Sequence, residues 1–122
     1  MILGRFGEIG ELIFDVEIIS FDGDNYPIEV LLDTGFTSGW LALDIQDAES
    51  IGWPLIQRNS IMQMARGEAF FNIYEGKISL DEQDYIIPVL ASDGIPEPLL
   101  GLQWLRILPL SVNFSAGILS LG

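Results

Sequence analysis

From Glu11 to Ser20 the chain reads Glu-Leu-Ile-Phe-Asp-Val-Glu-Ile-Ile-Ser, so Leu12, Phe14, Val16 and Ile18 fall on one side and acids mostly on the other. This rhythm of two constrains the fold more than any other feature, because successive side chains of a strand point to opposite faces. Asp22-Gly-Asp-Asn25 is a turn, and Tyr26 to Leu32 is a second strand, so the pair reads as a hairpin. Gly39 to Leu43 is a short apolar strand, and Asp44 is placed to cap a short helix through Ile51 before Gly52 and Pro54 stop it. Further strands are predicted at Ile61–Met64, Ala69–Tyr74, Lys77–Leu80 and Tyr85–Leu90, separated by Arg66-Gly67, Gly76 and the polar run Asp81 to Asp84. Pro88 has no amide to give a ladder and belongs on an edge or at a bulge. After a loop around Asp93 to Pro98 come Leu99-Leu100-Gly101 and a short helix over 102–108, with Leu102, Leu105 and Ile107 on one side. Ser111–Phe114 and Ile118–Leu121 close the chain as two strands. Without a linker, repeat or low-complexity tract, residues 1–122 read as a single all-β domain with one or two short helices.

What such a domain can do is narrowed by what it lacks. There is no Cys and no His, which removes disulfides, thiol and imidazole catalysis and most zinc chemistry. Any catalysis must run on carboxylates, hydroxyls, backbone amides or the five Lys and Arg. A net charge of −13 argues against nucleic acid, since nothing replaces the counterions on phosphates, and disfavours an anionic membrane surface. No apolar run approaches the length of a bilayer span. The first residues lack a secretory leader's basic flank and continuous apolar stretch, so the cytoplasm is the expected location. The acids at Asp22-Asp24 and Asp81-Asp84 lack the spacing of a calcium loop and read as solvated turns, so no metal or other cofactor is expected.

The informative stretch is Val30-Leu-Leu-Asp-Thr-Gly-Phe36. An apolar strand that runs into Asp33-Thr34-Gly35 sets a carboxylate at the end of a rigid element, near the core. Gly35 permits a sharp bend and lets amides approach the acid, and the Thr34 hydroxyl is placed to lock the turn. Such a tripeptide also arises by chance as a plain turn in roughly a few per cent of chains of this length. Its weight comes from company: Leu31 and Leu32 before it, and Leu99-Leu100-Gly101 leading a short helix in the last quarter.

With those segments in view, the chain resembles the retropepsin-like aspartic proteases of clan AA, and most of all their small bacterial and cyanobacterial members. Leu32 to Phe36 followed by Gly39 to Leu43 is similar to the catalytic loop and the strand after it. Tyr74-Glu-Gly-Lys-Ile78, leading to Ile87-Pro-Val-Leu90, is similar to the hairpin after the flap. Leu99 to Leu105 and Asn113 to Leu121 are similar to the apolar-apolar-Gly segment, its helix and the closing strands. The resemblance implies a closed β-barrel subunit of the acid protease fold, with Asp33 as catalytic acid, Thr34 locking two catalytic loops together and Gly35 giving backbone beside the carboxylates. It further implies that Leu99, Leu100 and Gly101 buttress the loop, that Ala65, Arg66 and Gly67 form the flap tip over a bound peptide, and that Phe36 touches substrate. Phe36 replaces the small residue usual in viral members, Arg66 adds a charge to the flap, and Leu102-Gln-Trp104 lacks the polar pair seen there in viral members.

The chemistry needs two carboxylates, and the chain has one such triplet. One ionised acid takes a proton from water while a neutral one hydrogen-bonds the scissile carbonyl and later passes a proton on. The second acid is therefore expected to be Asp33 of another copy, in a homodimer that cleaves peptide or protein substrates. Two rival readings are a protease-like dimer that binds peptides without turnover, and a stand-alone β domain whose triplet is only a turn. For Trp40, Trp53 and Trp104, core or interface packing is expected before a place in a peptide groove.

Overall fold

The computed structural model describes residues 1–64 and 67–122. Ala65 and Arg66, expected at the flap tip, lie outside the described residues. In chain order the elements are β1 (Ile2–Leu3), β2 (Arg5–Phe6), β3 (Leu12–Ile19), β4 (Asn25–Leu32), β5 (Leu41–Asp44), α1 (Ile45–Ser50), β6 (Leu55–Met64), β7 (Gly67–Leu80), β8 (Gln83–Ser92), β9 (Leu99–Leu100), a 3-10 helix (Leu102–Arg106), β10 (Leu110–Asn113) and β11 (Ile118–Leu121). The chain is all-β with little helix. Among the described residues no helix is long and apolar enough to cross a membrane.

The alternation read at Glu11–Ser20 is what the packing uses. Phe14, Val16 and Ile18 are buried on one side of β3 while Asp15 and Glu17 stay in water. β3 pairs with β4 from Ile13↔Leu31 to Ile19↔Asn25, so Val30 and Leu32 join Phe14 in the core. Arg5 reaches across β3, donating to Asp15 (2.7 Å) and to Glu29, and so ties β2 to two neighbours at an exposed rim.

Two sheets result. The larger runs β2-β3-β4-β9-β5-β8-β7-β6, with β3 also meeting β7 at Glu17↔Ser79 and Ile18↔Ile78, which folds the sheet back over its core. The smaller runs β1-β11-β10. Asp44 caps α1 as expected, its carboxylate accepting from the Gln46 amide at 3.1 Å. Pro88 lies one residue before the stretch of β8 that pairs with β5 from Leu41↔Val89 onward, so on that side it stands at a local edge.

Four expectations change. Gly76 does not separate two strands: β7 is continuous from Gly67 to Leu80, because Gly76 makes room for a neighbour and does not mark a turn. A Cβ there would collide with Val89 and lie 3.1 Å from the Trp53 ring, whose indole N–H donates to the Ile19 carbonyl (2.8 Å) in the interior. β6 begins at Leu55, earlier than the predicted Ile61, through irregular pairing with β7. The helix after Gly101 is a 3-10 turn that buries Trp104, while Ile107 faces water. Finally, Ile2–Leu3 and Arg5–Phe6 are strands although too short to show any period.

Candidate active site

The Asp-Thr-Gly turn is built from two backbone segments distant in sequence. β9 lies between β4, with which it runs parallel (Leu31↔Leu99, Leu32↔Leu100), and β5, with which it runs antiparallel (Leu41↔Leu100, Ala42↔Leu99). The Leu31 amide donates to the Pro98 carbonyl and the Asp33 amide to the Leu100 carbonyl, both at 2.9 Å. The Gly101 amide donates to the Trp40 carbonyl (3.0 Å) and the Leu102 amide to the Phe36 carbonyl (3.0 Å). Thus both ends of the loop from Asp33 to Trp40 hang from one short strand and the helix after it. Paired amides of this kind make a rigid seat.

Within the loop, the Gly35 amide donates to Asp33 Oδ1 at 2.9 Å and the Phe36 amide to the Asp33 carbonyl at 3.1 Å. The aspartate locks its own turn, as Asx turns do. The Thr34 side chain does not: it is exposed and makes no hydrogen bond among the described residues. A Cβ on Gly35 would sit 3.1 Å from Asp33 Oδ1, so a side chain there would crowd the acid. Phe36 turns its ring over Gly39, where any Cβ would overlap it. At Gly101 a Cβ would overlap the Gly39 carbonyl, so the two glycines bring the helix and the Asp33–Trp40 loop into backbone contact.

Half-buried Asp33 opens on a cleft of ≈ 300 Å³ that it shares with Gly35, Phe36, Phe71, Asp93 and Leu99. The floor is core: Leu100 and Trp104 are fully buried. A larger hollow of ≈ 400 Å³ is lined by Tyr26 and Ile28 of β4 together with Asp22, Asp24 and Asp47. Its acids lie on a turn and a short helix and none has Asp33's backbone seat, so the smaller cleft is the better candidate.

Of the residues singled out in the sequence, Asp33, Gly35, Phe36 and Leu99 meet at the cleft, with Leu100 and Gly101 behind them. Thr34 points to solvent, and Gly67 (φ 114°) begins β7 without lining the cleft. Ala65 and Arg66 lie outside the described residues. Trp104, expected in core or interface packing, is fully buried and its indole donates to the Trp40 carbonyl (2.8 Å); Gln103, given no role from the sequence, donates its side-chain amide to the Thr37 carbonyl (2.7 Å). These two side chains tie the helix to the loop from Asp33 to Trp40; a lone Gln in an apolar helix was the available signal. Asp93, Phe71 and Ile95 were missed as cleft walls because only the fold brings them near Asp33.

No family model matches the chain, and no curated protein matches it. Solved structures do. A retropepsin-like aspartic protease from Rickettsia conorii superposes with a TM-score of 0.66 at 17% identity, covering 98% of this chain and 88% of its own. The EIAV protease, solved in complex with the inhibitor HBY-793, superposes with a TM-score of 0.63 at 18% identity, covering 83% of this chain and 90% of its own. The chain has the retropepsin-like fold.

Proposed function

We propose that this retropepsin-like chain is one subunit of a homodimeric aspartic endopeptidase, with Asp33 from each copy forming the catalytic pair. The observation that carries the reading is the seat of Asp33: a half-buried carboxylate at a strand end, held by the Gly35 amide and facing a cleft. Asp93 also borders that cleft but sits in an exposed turn after β8, where no backbone amide holds its carboxylate among the described residues. The second acid of the pair is therefore the partner's copy of the same loop. Exposed Thr34 fits this arrangement, since a hydroxyl that bonds none of the described residues is available to a neighbouring loop across a twofold axis.

In the dimer the two carboxylates share one proton, because two like charges in contact do not both ionise. The ionised member takes a proton from a water held between them, and the water oxygen attacks the scissile carbonyl carbon. The protonated member gives its proton to the carbonyl oxygen as the tetrahedral species forms. The carboxyl that took the water's proton gives it to the amide nitrogen, while the other carboxylate takes a proton from a hydroxyl of the tetrahedral species. The C–N bond then breaks, an acid and an amine leave, and one proton is again shared. Phe36, Phe71, Ile95 and Leu99 give the cleft an apolar lining suited to peptide side chains.

The test is Asp33→Asn, measured as turnover of a peptide library with folding followed by circular dichroism. Activity should fall by about 10²–10⁴-fold or more with the fold unchanged, since the amide keeps the shape but cannot act as a base. Equal turnover by both proteins would reject the site. Tight binding of a pepstatin-like mimic without turnover would instead favour a peptide-binding dimer.

A further inference from the structure

We propose, resting on the endopeptidase reading above, that Asp93 makes this cleft selective for peptides with a lysine or arginine beside the scissile bond, whose cationic head its carboxylate receives.

The turn that holds Asp93 does not need its carboxylate. Asp93 stands in an Asp-Gly turn after β8, and Gly94 has a φ of 79°. An aspartate so placed commonly accepts from a nearby backbone amide. Here Asp44 takes that part: the Gly94 amide donates to Asp44 Oδ1 at 3.1 Å, while Asp44 Oδ2 caps α1. The Asp93 carboxylate makes no hydrogen bond or ion pair among the described residues. Its backbone is nevertheless fixed. Ser92 pairs with Asp44 in the β5–β8 ladder and donates its hydroxyl to the Phe70 carbonyl at 3.0 Å. The residues before and after Asp93 are both tied down, and the charge is left over.

The surroundings say what the charge suits. Asp93 shares the cleft of ≈ 300 Å³ with Asp33 and with apolar Phe71, Ile95 and Leu99. Among the described residues no Lys or Arg lines it. Arg5 is held by Asp15 and Glu29, and Lys77 lies 4.0 Å from Asp84. In a dimer the Asp33 pair keeps one negative charge after sharing its proton, and each Asp93 adds another. A bound peptide strips water from these acids, so an acidic side chain is repelled and an apolar one leaves Asp93 unpaired. Lysine and arginine match both parts of the wall, with the methylene stem on the apolar residues and the head on the carboxylate. A space of this volume spans about two residues of extended peptide, so the basic residue stands next to the bond that is cut. The twofold sets one Asp93 on each side of that bond, so the preference applies on both.

The experiment compares peptides that differ at one position beside the cleaved bond, carrying Lys, norleucine or Glu. Norleucine keeps the stem and lacks the ammonium. For the wild type, kcat/KM for Lys should exceed that for norleucine about tenfold or more, with Glu lowest. In Asp93→Asn the Lys-to-norleucine ratio should fall to within about threefold of unity, and Asp93→Lys should put Glu first. Folding of each variant is followed by circular dichroism. Glu97→Gln, which alters an exposed acid of the same loop outside the cleft wall, should keep the wild-type ratio. An equal fall in Glu97→Gln and Asp93→Asn would trace the preference to the overall charge of the chain and overturn the role of Asp93. So would a wild-type ratio near unity. The same peptides with a non-cleavable hydroxyethylene group at the scissile position, measured by calorimetry, read the preference without turnover. Lys favoured in binding but never cleaved would sustain Asp93 while rejecting the endopeptidase reading. Cleavage without any Lys preference would do the reverse, and no binding of any of these peptides would overturn both.

Discussion

The loop that carries Asp33 and the hairpin of β6 and β7 are both made of backbone hydrogen bonds, yet they are held in different ways. Each end of the loop is bonded to β9 or to the helix after it, and behind it stand Leu100 and Trp104, fully buried. The outer part of the hairpin answers mainly to itself: β6 has β7 as its neighbour, and their pairing slips between Leu55 and Gln57 and again between Gln57 and Ser60. Ile56, Ile61 and Phe70 along it are exposed. Irregular pairing and thin apolar cover lower the cost of local opening, whereas a loop tethered at both ends to a buried floor opens only with the domain. One region is built to hold a carboxylate still, and the other is held far less firmly.

Substitutions sharpen the contrast. The largest effect should come from beneath the loop: Trp104→Ala removes a fully buried indole and its bond to Trp40, and should cost about 3–5 kcal/mol in urea unfolding. A loss under 1 kcal/mol would show that the loop does not depend on its floor. Gly101→Ala is next, because the new methyl meets the Gly39 carbonyl; about 1–3 kcal/mol is expected, with peptide turnover falling further than stability. Unchanged turnover would mean that close contact between these segments does not set the position of Asp33. The smallest effect belongs to the hairpin, where Ile61→Ser should change stability by less than about 0.5 kcal/mol. In the same protein, amides of 55–61 and 68–71 should exchange faster than those of Phe14 to Ile18, and a bound inhibitor should slow them. Equal protection of the two regions without inhibitor would erase the distinction.

How much of this could be read from the residues follows the reach of each interaction. The β3–β4 hairpin, the Asp44 cap and the strand leading into Asp33 depend on near neighbours, and alternation, cap chemistry and the Asp-Thr-Gly turn reveal them. Gly76 misled because a glycine in a strand looks like a stop, while its reason lies in Trp53, far away in sequence but adjacent in space. Thr34 misled for a similar reason: its hydroxyl was assigned to a local lock that the Asp33 carboxylate already provides. Asp93, Phe71 and Gln103 gave no signal alone, since a cleft wall exists only after strands from both halves of the chain converge. Ile2–Leu3 and Arg5–Phe6 are extended because β11 and β3 offer them partners, not because their own pattern demands it.

The position of β9 between β4 and β5 also sets a timetable. Leu31 and Leu32 pair with Leu99 and Leu100, so the seat of Asp33 closes only once the chain through Leu100 is available. Contacts that span so much sequence incur their loop-closure entropy before any reward arrives, which makes them slow to form. During synthesis the hairpin of β3 and β4 can gather first, but its acid waits unsupported until β9 inserts. A chain that stops short of Leu99 has the aspartate without its seat. The order of the strands thus delays assembly of the Asp33 seat until β9 has been made.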